Sequence, residues 1–478
     1  MKVGLAAAGS GLCRGAWAGY VARPFNSGNM FRKLLIANRG EIACRINRVA
    51  QGMGIATVAV FSDADERLPF VREADQAVRI GPAPARDSYL NASAILEAAR
   101  SSAAEAIHPG YGFLSENAEF SRSCTDAGFC FIGPPPEALA RMKDKSQARQ
   151  IVRDAGVPII PGTAGVVADS AEAARAARDV GFPVLCKAAA GGGGIGMAVA
   201  KDEVELEKAF RQCSDRARAA FGRPGVYLER YFPSPRHIEV QILADTYGHY
   251  LHCLERECSI QRRHQKVVEE APAPLFGAQP APDRVRPLFE AALRAARAFD
   301  YANAGTVEFL YADDAFHFIE INARLQVEHP ITELTTGVDL IGWQLRIASG
   351  QPLTLAQEEI RRTGAAIEFR IYAEDPVKFF PSPGVLKVFR PPQGEGIRWD
   401  GGYEEGNEVT PYYDPMLGKL IVFAPTRSQA ISTAASALES FEVQGVKTNI
   451  PLHLRVLRAP SFLAGQFDTS FLGTLGPT

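Results

Sequence analysis

Residues 317–332 read HFIEINARLQVEHPIT. Phe318, Ile319 and Ile321 suit the core of a sheet, yet Glu320, Asn322 and Arg324 recur at every second position, and Glu328 shares their parity. A strand sends alternate side chains to opposite faces, so the spacing predicts a carboxylate, an amide and a guanidinium on one face, with a second carboxylate just beyond. Burying charge is costly unless it is paired or bound to an ion. Upstream, GTVEFL places Glu308 between Val307 and Phe309, in the middle of what reads as the adjacent strand. Two carboxylates and an amide from neighbouring strands suit Mg²⁺, which takes oxygen ligands and shares them with phosphates. Arg324 fits a planar anion such as bicarbonate or a carboxylate, gripped in a fork. Glu328 is then left to act as a base. A surface salt-bridge network is the competing reading, and the apolar flanks weigh against it.

A second segment, KAAAGGGGIGM, sets four consecutive glycines between two strands. Such a hairpin can fold over a polyphosphate and present amide N–H groups to it. Lys187, on the preceding strand, can add a point charge. No Gly-Lys-Ser/Thr ends the loop, so it is not a Walker loop. A third segment, QRRHQKVVEEAPAP (261–274), is a charge run, and on composition alone it favours a solvated face. His237 in SPRHIEV and Lys145 in KDK read equally well as structural or surface residues.

These groups need a scaffold. From Met30 onward, KLLIAN, RGEIACRINRVAQGMG and IATVAVF alternate buried strand, helix and strand, a βαβ unit. The pattern predicts a doubly wound open sheet over 30–133, with NRG and HPGYGFLSEN at the carboxyl ends of strands, where ligands sit. The first turn is not GxGxxG, which argues against a standard NAD site. A helical connector follows over 134–159, then a strand-and-helix unit carrying the glycine loop over 160–231, then a large mixed unit over 232–478. Within it RHIEVQILAD and YLHCLERECSI read as antiparallel partners around a DTYG turn.

The bulk numbers exclude several classes. The 478 residues allow two to four domains, and a net charge of −2 offers nothing to nucleic acid or an anionic membrane. No apolar run reaches the roughly 18 residues of a membrane span. The eight cysteines form no CxxC pair, which predicts reduced thiols in the cytoplasm and no structural zinc. Residues 1–29 have no periodic apolar face and are expected to be an unstructured, dispensable extension. Their GSGLCRG is a decoy for a dinucleotide loop, since it follows no convincing strand.

Taken together, IANRGEIACRI, IHPGYGFLSEN, GGGGIGM, RRHQKVVEEAPAP, GTVEFL, FIEINARLQVEHP and EFRIYAEDP resemble the biotin carboxylases, a branch of the ATP-grasp ligases. The resemblance runs from about Phe31 to Phe471. It implies an α/β ATP-grasp fold with an N-terminal Rossmann-like doubly wound domain, a glycine-loop lid and a large α+β C-terminal domain. It also implies a reaction, the making of carboxybiotin from ATP, bicarbonate and biotin on a carrier lysine, with Mg²⁺ or Mn²⁺. By motif position, Lys145 and Lys187 would contact the nucleotide, and Gly193 and Gly194 would cover its phosphates. Glu229, Arg230, Tyr231 and Phe232 would hold the adenine edge, with His237, Gln261 and His264 near the ribose and phosphates. Glu308, Glu320 and Asn322 would place the metal. Lys266, Arg324, Gln326 and Val327 would bind bicarbonate, Glu328 would deprotonate it, and Arg370 would stabilise the biotin enolate.

The sequence departs from the family pattern in two places. Ala190 and Ile195 stand where the family commonly has a glycine and an arginine, and no Ala-Met-Lys-Met motif is present. The expected partners are therefore a separate biotin carboxyl carrier protein and carboxyltransferase subunits of an acyl-CoA carboxylase, with a homodimer implied by the family. An ATP-grasp ligase with another acceptor is the alternative enzyme. A nucleotide-binding regulatory homologue would be expected to lack the base or a metal carboxylate, and this chain retains Glu308, Glu320, Arg324 and Glu328.

Overall fold

The computed structural model describes residues 30–163, 165–188, 197–221, 225–263, 265–278 and 281–476. The expectations for residues 1–29, Ala190, Gly193, Gly194, Ile195 and His264 lie outside the described residues, as does the side chain of Lys145.

Five short parallel strands open the fold: β1 (Lys33–Ile36), β2 (Ala56–Ser62), β3 (Gln76–Gly81), β4 (Ala106–His108) and β5 (Cys130–Phe131), in the order β3-β2-β1-β4-β5. The apolar runs of β1, β2 and β4 are buried on both faces, while β3 is largely exposed at the edge, and Leu35, Val58 and Ile107 are fully inaccessible. The flanking helices start where the sequence supplies caps. Asn91 accepts from the Ala94 N–H and Asn117 from the Phe120 N–H, each satisfying one free donor of a first turn. At the carboxyl end of β1, Asn38 donates to the carbonyls of Pro109 at 2.6 Å and Tyr111 at 2.8 Å. Gly110 has φ +62°, and a Cβ there would stand 2.8 Å from Asn38 Nδ2. Glycine thus lets the HPGYG loop close on NRG, which brings the Tyr111 hydroxyl onto Glu41.

Three antiparallel strands, β6 (Val184–Ala188), β7 (Met197–Ala200) and β8 (Val226–Arg230), form the next sheet in the order β7-β6-β8. The helices Ser170–Val180 and Glu203–Phe221 back it around a small core of Val184, Cys186, Leu206, Cys213 and Leu228.

The largest sheet is antiparallel and eight-stranded. It contains β9 (Arg236–Ala244), β10 (Tyr250–Arg262), β11 (Gln265–Ala271), β12 (Asn303–Ala312), β13 (Ala315–Asn322) and β14 (Ala365–Tyr372). Two short ribbons separate these from the rest, β15 (Gly384–Val385) with β18 (Glu408–Val409), and β16 (Val388–Arg390) with β20 (Glu442–Gln444). With β17 (Ile397–Gly401) and β19 (Met416–Ala424), the order is β13-β12-β9-β10-β11-β14-β19-β17. RHIEVQILAD and YLHCLERECSI are the antiparallel neighbours β9 and β10.

Alternation in β9 shows how this sheet differs from the first. Ile238, Val240 and Ile242 join a core with Leu288 and Ala292 of the helix Pro282–Ala298. Glu239 and Gln241, on the other face, are just as deeply buried. The helix His329–Thr336 covers that polar face, packing on β10, β11, β14 and β19.

Two expectations need correction. The run 261–274 is not a solvated face, because Lys266, Glu269 and Glu270 of β11 are all buried between β10 and β14. The opening stretch is not one continuous strand either. β13 stops at Asn322, and Glu328 is the residue that caps the helix His329–Thr336. Pro330, which fits the first turn of a helix, fixes that change of direction. Glu328 therefore reaches the site from above the sheet and not by strand parity.

Candidate active site

Glu308 and Glu320 face each other in register across β12 and β13, as the alternating pattern predicts. The polar face of the sheet continues from this pair as a chain of charged contacts. Lys266 Nζ donates to Glu239 Oε2 at 2.5 Å, to Glu308 Oε1 at 2.7 Å and to Glu328 Oε1 at 2.7 Å. Arg370 donates from Nε to Glu269 Oε1 at 2.7 Å and from Nη2 to Glu328 Oε2 at 3.0 Å. Both oxygens of Glu328 are thus held by cations from β11 and β14. Arg256 anchors the centre through Glu239 Oε1 at 2.5 Å, Gln241 Oε1 at 2.7 Å, and the hydroxyls of Thr306 and Thr332, each at 3.0 Å. The Thr332 bond ties the covering helix to the sheet.

The loop after β13 is fixed by its own polar side chains. Arg324 donates to Asn322 Oδ1 at 2.9 Å and Gln326 Oε1 at 3.2 Å, and pairs with Glu116 at 3.2 Å. Gln326 donates in turn to Glu308 Oε1 at 2.9 Å. The Val327 carbonyl accepts from Lys419 Nζ at 2.8 Å. Gln261 Nε2 lies 2.8 Å from His237 Nδ1, and the other ring nitrogen, Nε2, lies 3.2 Å from Glu308 Oε2.

Two cavities meet at this chain. One, of about 320 Å³, lies between the three-stranded sheet and β13 and is lined by Lys187, Tyr227, Glu229, Met142 and Ile319. Within it, Glu229 is gripped by both Lys187 and Arg149. The other, of about 690 Å³, is lined by His237, Lys266, Arg324, Val327, Arg370 and Tyr111, among others. Glu320 and Asn322 line both, so they stand at the junction. Their oxygen donors, with Glu308 in register beside them, fit Mg²⁺. Among the described residues the Asn322 Nδ2 is buried without a partner, which leaves hydrogen-bonding capacity at the junction unspent.

Charge states follow from this geometry. Burial alone would raise the Glu308 carboxyl, but Lys266 and then His237 outweigh it and hold the group well below the usual carboxylate range. Glu328 behaves alike: burial pushes it up, and Lys266, Arg370 and Arg256 together bring it well below. Burial opposes charge on Lys266 and Arg370, yet their carboxylate neighbours push both well above their ordinary values. The chain is therefore ionised through its middle.

The structure brings Lys266, Glu308, Gln326, Glu328 and Arg370 into one bonded chain, with His237, Asn322 and Arg324 against it and Gln261 behind His237. Lys187 and Glu229 lie in the smaller cavity instead. Phe232 stacks on His317 at 4.9 Å, beyond the end of β8, which Arg230 closes and Tyr231 follows. Lys145 opens the helix Lys145–Asp154. Glu239, Arg256, Glu269, Arg149 and Lys419 were not singled out from sequence. A signal for two of them exists: Glu239 and Arg256 interrupt apolar strands, HIEVQ and CLEREC, at central positions where only a paired charge is tolerated.

Comparison with known proteins agrees along most of the chain, from residue 30 to residue 474. Residues 30–139 match the biotin carboxylase N-terminal domain, 144–356 the ATP-binding domain of the carbamoyl-phosphate synthase L chain, and 368–474 the biotin carboxylase C-terminal domain. A biotin carboxylase of Halalkalibacterium halodurans is 52% identical over 444 residues, covering 93% of this chain and 97% of that one. A solved Campylobacter jejuni biotin carboxylase in complex with beta-gamma-ATP superimposes with a TM-score of 0.87 at 44% identity, over 93% of this chain and 98% of that one. The biotin carboxylase domain dimer of Hydrogenobacter thermophilus 2-oxoglutarate carboxylase, bound to MgADP, ADP and bicarbonate, gives 0.86 at 45% identity and the same coverage. These matches establish that the chain belongs to the biotin carboxylase family.

Proposed function

We propose that this chain carboxylates carrier-bound biotin, using ATP and bicarbonate through carboxyphosphate, as the first half-reaction of an acyl-CoA carboxylase. The observation that carries the reading is the junction. Glu320 and Asn322 border both cavities, and the ionised chain from Glu308 through Lys266 and Glu328 to Arg370 runs along the larger one.

Residue roles follow from position. The smaller cavity receives the nucleotide, with Lys187 offering its charge once it exchanges Glu229 for phosphate. Glu308, Glu320 and Asn322 would hold Mg²⁺, which when bound neutralises charge on the transferring phosphoryl group. Lys266 and Arg324 hold bicarbonate in the larger cavity, with Gln326 and Val327 setting its orientation. Glu328 takes the bicarbonate proton.

A carboxylate held so far down in the resting site is a weak base, and the substrate itself corrects this. An anion entering beside Lys266 and Arg370 shares the two cations that hold Glu328 down, so the proton affinity of Glu328 rises as the anion binds. The bicarbonate oxygen then attacks the terminal phosphoryl group, the bond to the β-phosphate oxygen breaks and ADP leaves, and the developing charge meets fixed cations. Carboxyphosphate splits into CO₂ and phosphate beside biotin, the phosphate takes the ureido proton, Arg370 steadies the resulting anion, and the anion's nitrogen attacks CO₂ to give carboxybiotin. Water is kept from carboxyphosphate by the walls of the two cavities.

The partners are a biotin carboxyl carrier protein and carboxyltransferase subunits, and the assembly contains two copies of this chain. The dimeric Hydrogenobacter domain supports the last point. The test is phosphate release from ATP by the purified chain. It should require both bicarbonate and free biotin. Release that needs an amine or amino acid acceptor, and ignores biotin, would replace this reading with another ATP-grasp ligase.

A further inference from the structure

Glu269 of β11 and Glu368 of β14 are paired in register, and both are fully buried. Side chains directly opposed on adjacent strands bring their Cβ atoms to about 4.5–5.5 Å. Arg370, two positions along β14, donates to Glu269 and to Glu328. Among the described residues, neither oxygen of Glu368 has a hydrogen-bond partner, and Glu269 Oε2 has none either.

The groups that face Glu368 are Glu269 from β11, Lys419 from β19, Arg370 from its own strand, Glu328 from the covering helix and Tyr111 from the HPGYG loop. The two cations among them are engaged elsewhere, Lys419 with the Val327 carbonyl and Glu41, and Arg370 with Glu269 and Glu328. An ionised carboxylate buried without a single hydrogen bond, beside a second one, is strongly disfavoured.

We propose that Glu269 and Glu368 act as one unit, a buried carboxyl pair sharing a single proton, which positions Arg370 and keeps its positive charge available to the acceptor in front of it. The proposal rests on the reading of Arg370 as the residue that meets biotin. Were both carboxyls ionised, the guanidinium would lie in the field of three carboxylates, and its attraction for an anionic acceptor would be blunted. With Glu368 neutral, Glu269 still orients Arg370, and one negative charge is gone. The surroundings act in the same sense. Burial, reinforced by Glu269 and Glu328, pushes Glu368 well above the carboxylate range against the pull of Lys419. Burial likewise brings Glu269 to about 7 despite Arg370. Close carboxyls of this kind titrate as a pair.

Infrared difference spectra of the unmodified chain and of Glu368→Gln at neutral pH test the pair. A protonated-carboxyl stretch should be present in the first and missing from the second. Glu368→Met, which also lacks the carboxyl, reads the same loss should the amide disturb folding. Kinetics test the link to Arg370: Glu269→Gln should lower kcat for biotin-dependent phosphate release by about tenfold or more, the value of a lost charged hydrogen bond, with KM for free biotin changed by less than about threefold, because the anion that Arg370 meets forms only during the reaction. A stretch that survives both changes at Glu368, or an unaltered kcat in Glu269→Gln, overturns the proposal. If the unmodified chain shows no biotin-dependent phosphate release at all, the reading of Arg370 fails first, and the assigned role fails with it whatever the spectrum shows.

Discussion

The two main sheets bury their central strands equally and fill them with opposite chemistry. In the five-stranded sheet, Leu34, Leu35, Ile36 and Val58 are inaccessible, and the sheet is held by removal of apolar surface from water. In the eight-stranded sheet Glu239, Arg256 and Glu368 are inaccessible as well. Buried ion pairs add little net stability, since the cost of stripping water from each charge consumes most of the attraction. What they provide is position. Lys266 is held between Glu328, Glu239 and Glu308, and Arg370 between Glu328 and Glu269, so each cation is fixed by more than one carboxylate. One sheet is built to be stable and the other to hold charge where a reaction will need it.

The comparison breaks most sharply at Lys266. Lys266→Met leaves Glu239, Glu308 and Glu328 without their shared cation. Turnover should fall by roughly 10²–10³-fold, and stability by about 3–5 kcal/mol. Activity assays and denaturant melts of the same preparation check both. Leu35→Ala in the apolar sheet should cost a similar about 2–5 kcal/mol in stability, while kcat per folded molecule, from active-site titration, stays within about twofold. Equal losses of kcat in the two variants would erase the distinction.

A smaller effect separates the regions by pH. His108, at the end of β4, is buried and its pKa is pushed down to about 3 by that burial. The unfolded chain protonates it near pH 6.5 and the folded chain does not. Stability is therefore lost as pH falls from about 6.5 towards 3, by about 2 kcal/mol at pH 5. Melts of His108→Gln should show a shallower acid slope over that window. The ion pair of Arg79 with Asp63 is exposed on both sides, and Arg79→Ala should leave the melting temperature unchanged within error.

Much of this was legible in the residues themselves. The βαβ rhythm from Met30 specified the parallel sheet, because both faces of its strands are apolar and nothing competes with that signal. Glu308 opposite Glu320 followed from alternation on two strands. The route to Glu328 did not, because parity continues through a sequence whether or not the strand does, and Pro330 was the residue that marked the change. The burial of β11 was hidden for a different reason. QRRHQKVVEEAPAP is as charged as a solvated edge, and only its neighbours show that the charges of β11 have partners: Lys266 with Glu239 on β9, Glu269 with Arg370 on β14 and Glu270 with Arg427. Those partners lie up to 157 residues away in the chain, beyond the reach of any local pattern.

The central claim is that one polar face carries two separable duties, metal at the Glu308 and Glu320 end and base at Glu328. Calorimetric nucleotide affinity and bicarbonate-dependent phosphate release, measured side by side on Glu320→Gln and Glu328→Gln, test it most directly. Glu320→Gln should weaken Mg-ATP binding, since it removes a negative oxygen from the cation. Glu328→Gln should bind Mg-ATP within about threefold of the unmodified chain and lose roughly 10²–10⁴-fold in the bicarbonate-dependent rate, the usual range for a missing general base. A Glu328→Gln protein that loses nucleotide affinity as badly as Glu320→Gln, alongside a Glu320→Gln protein with full turnover, would contradict the division.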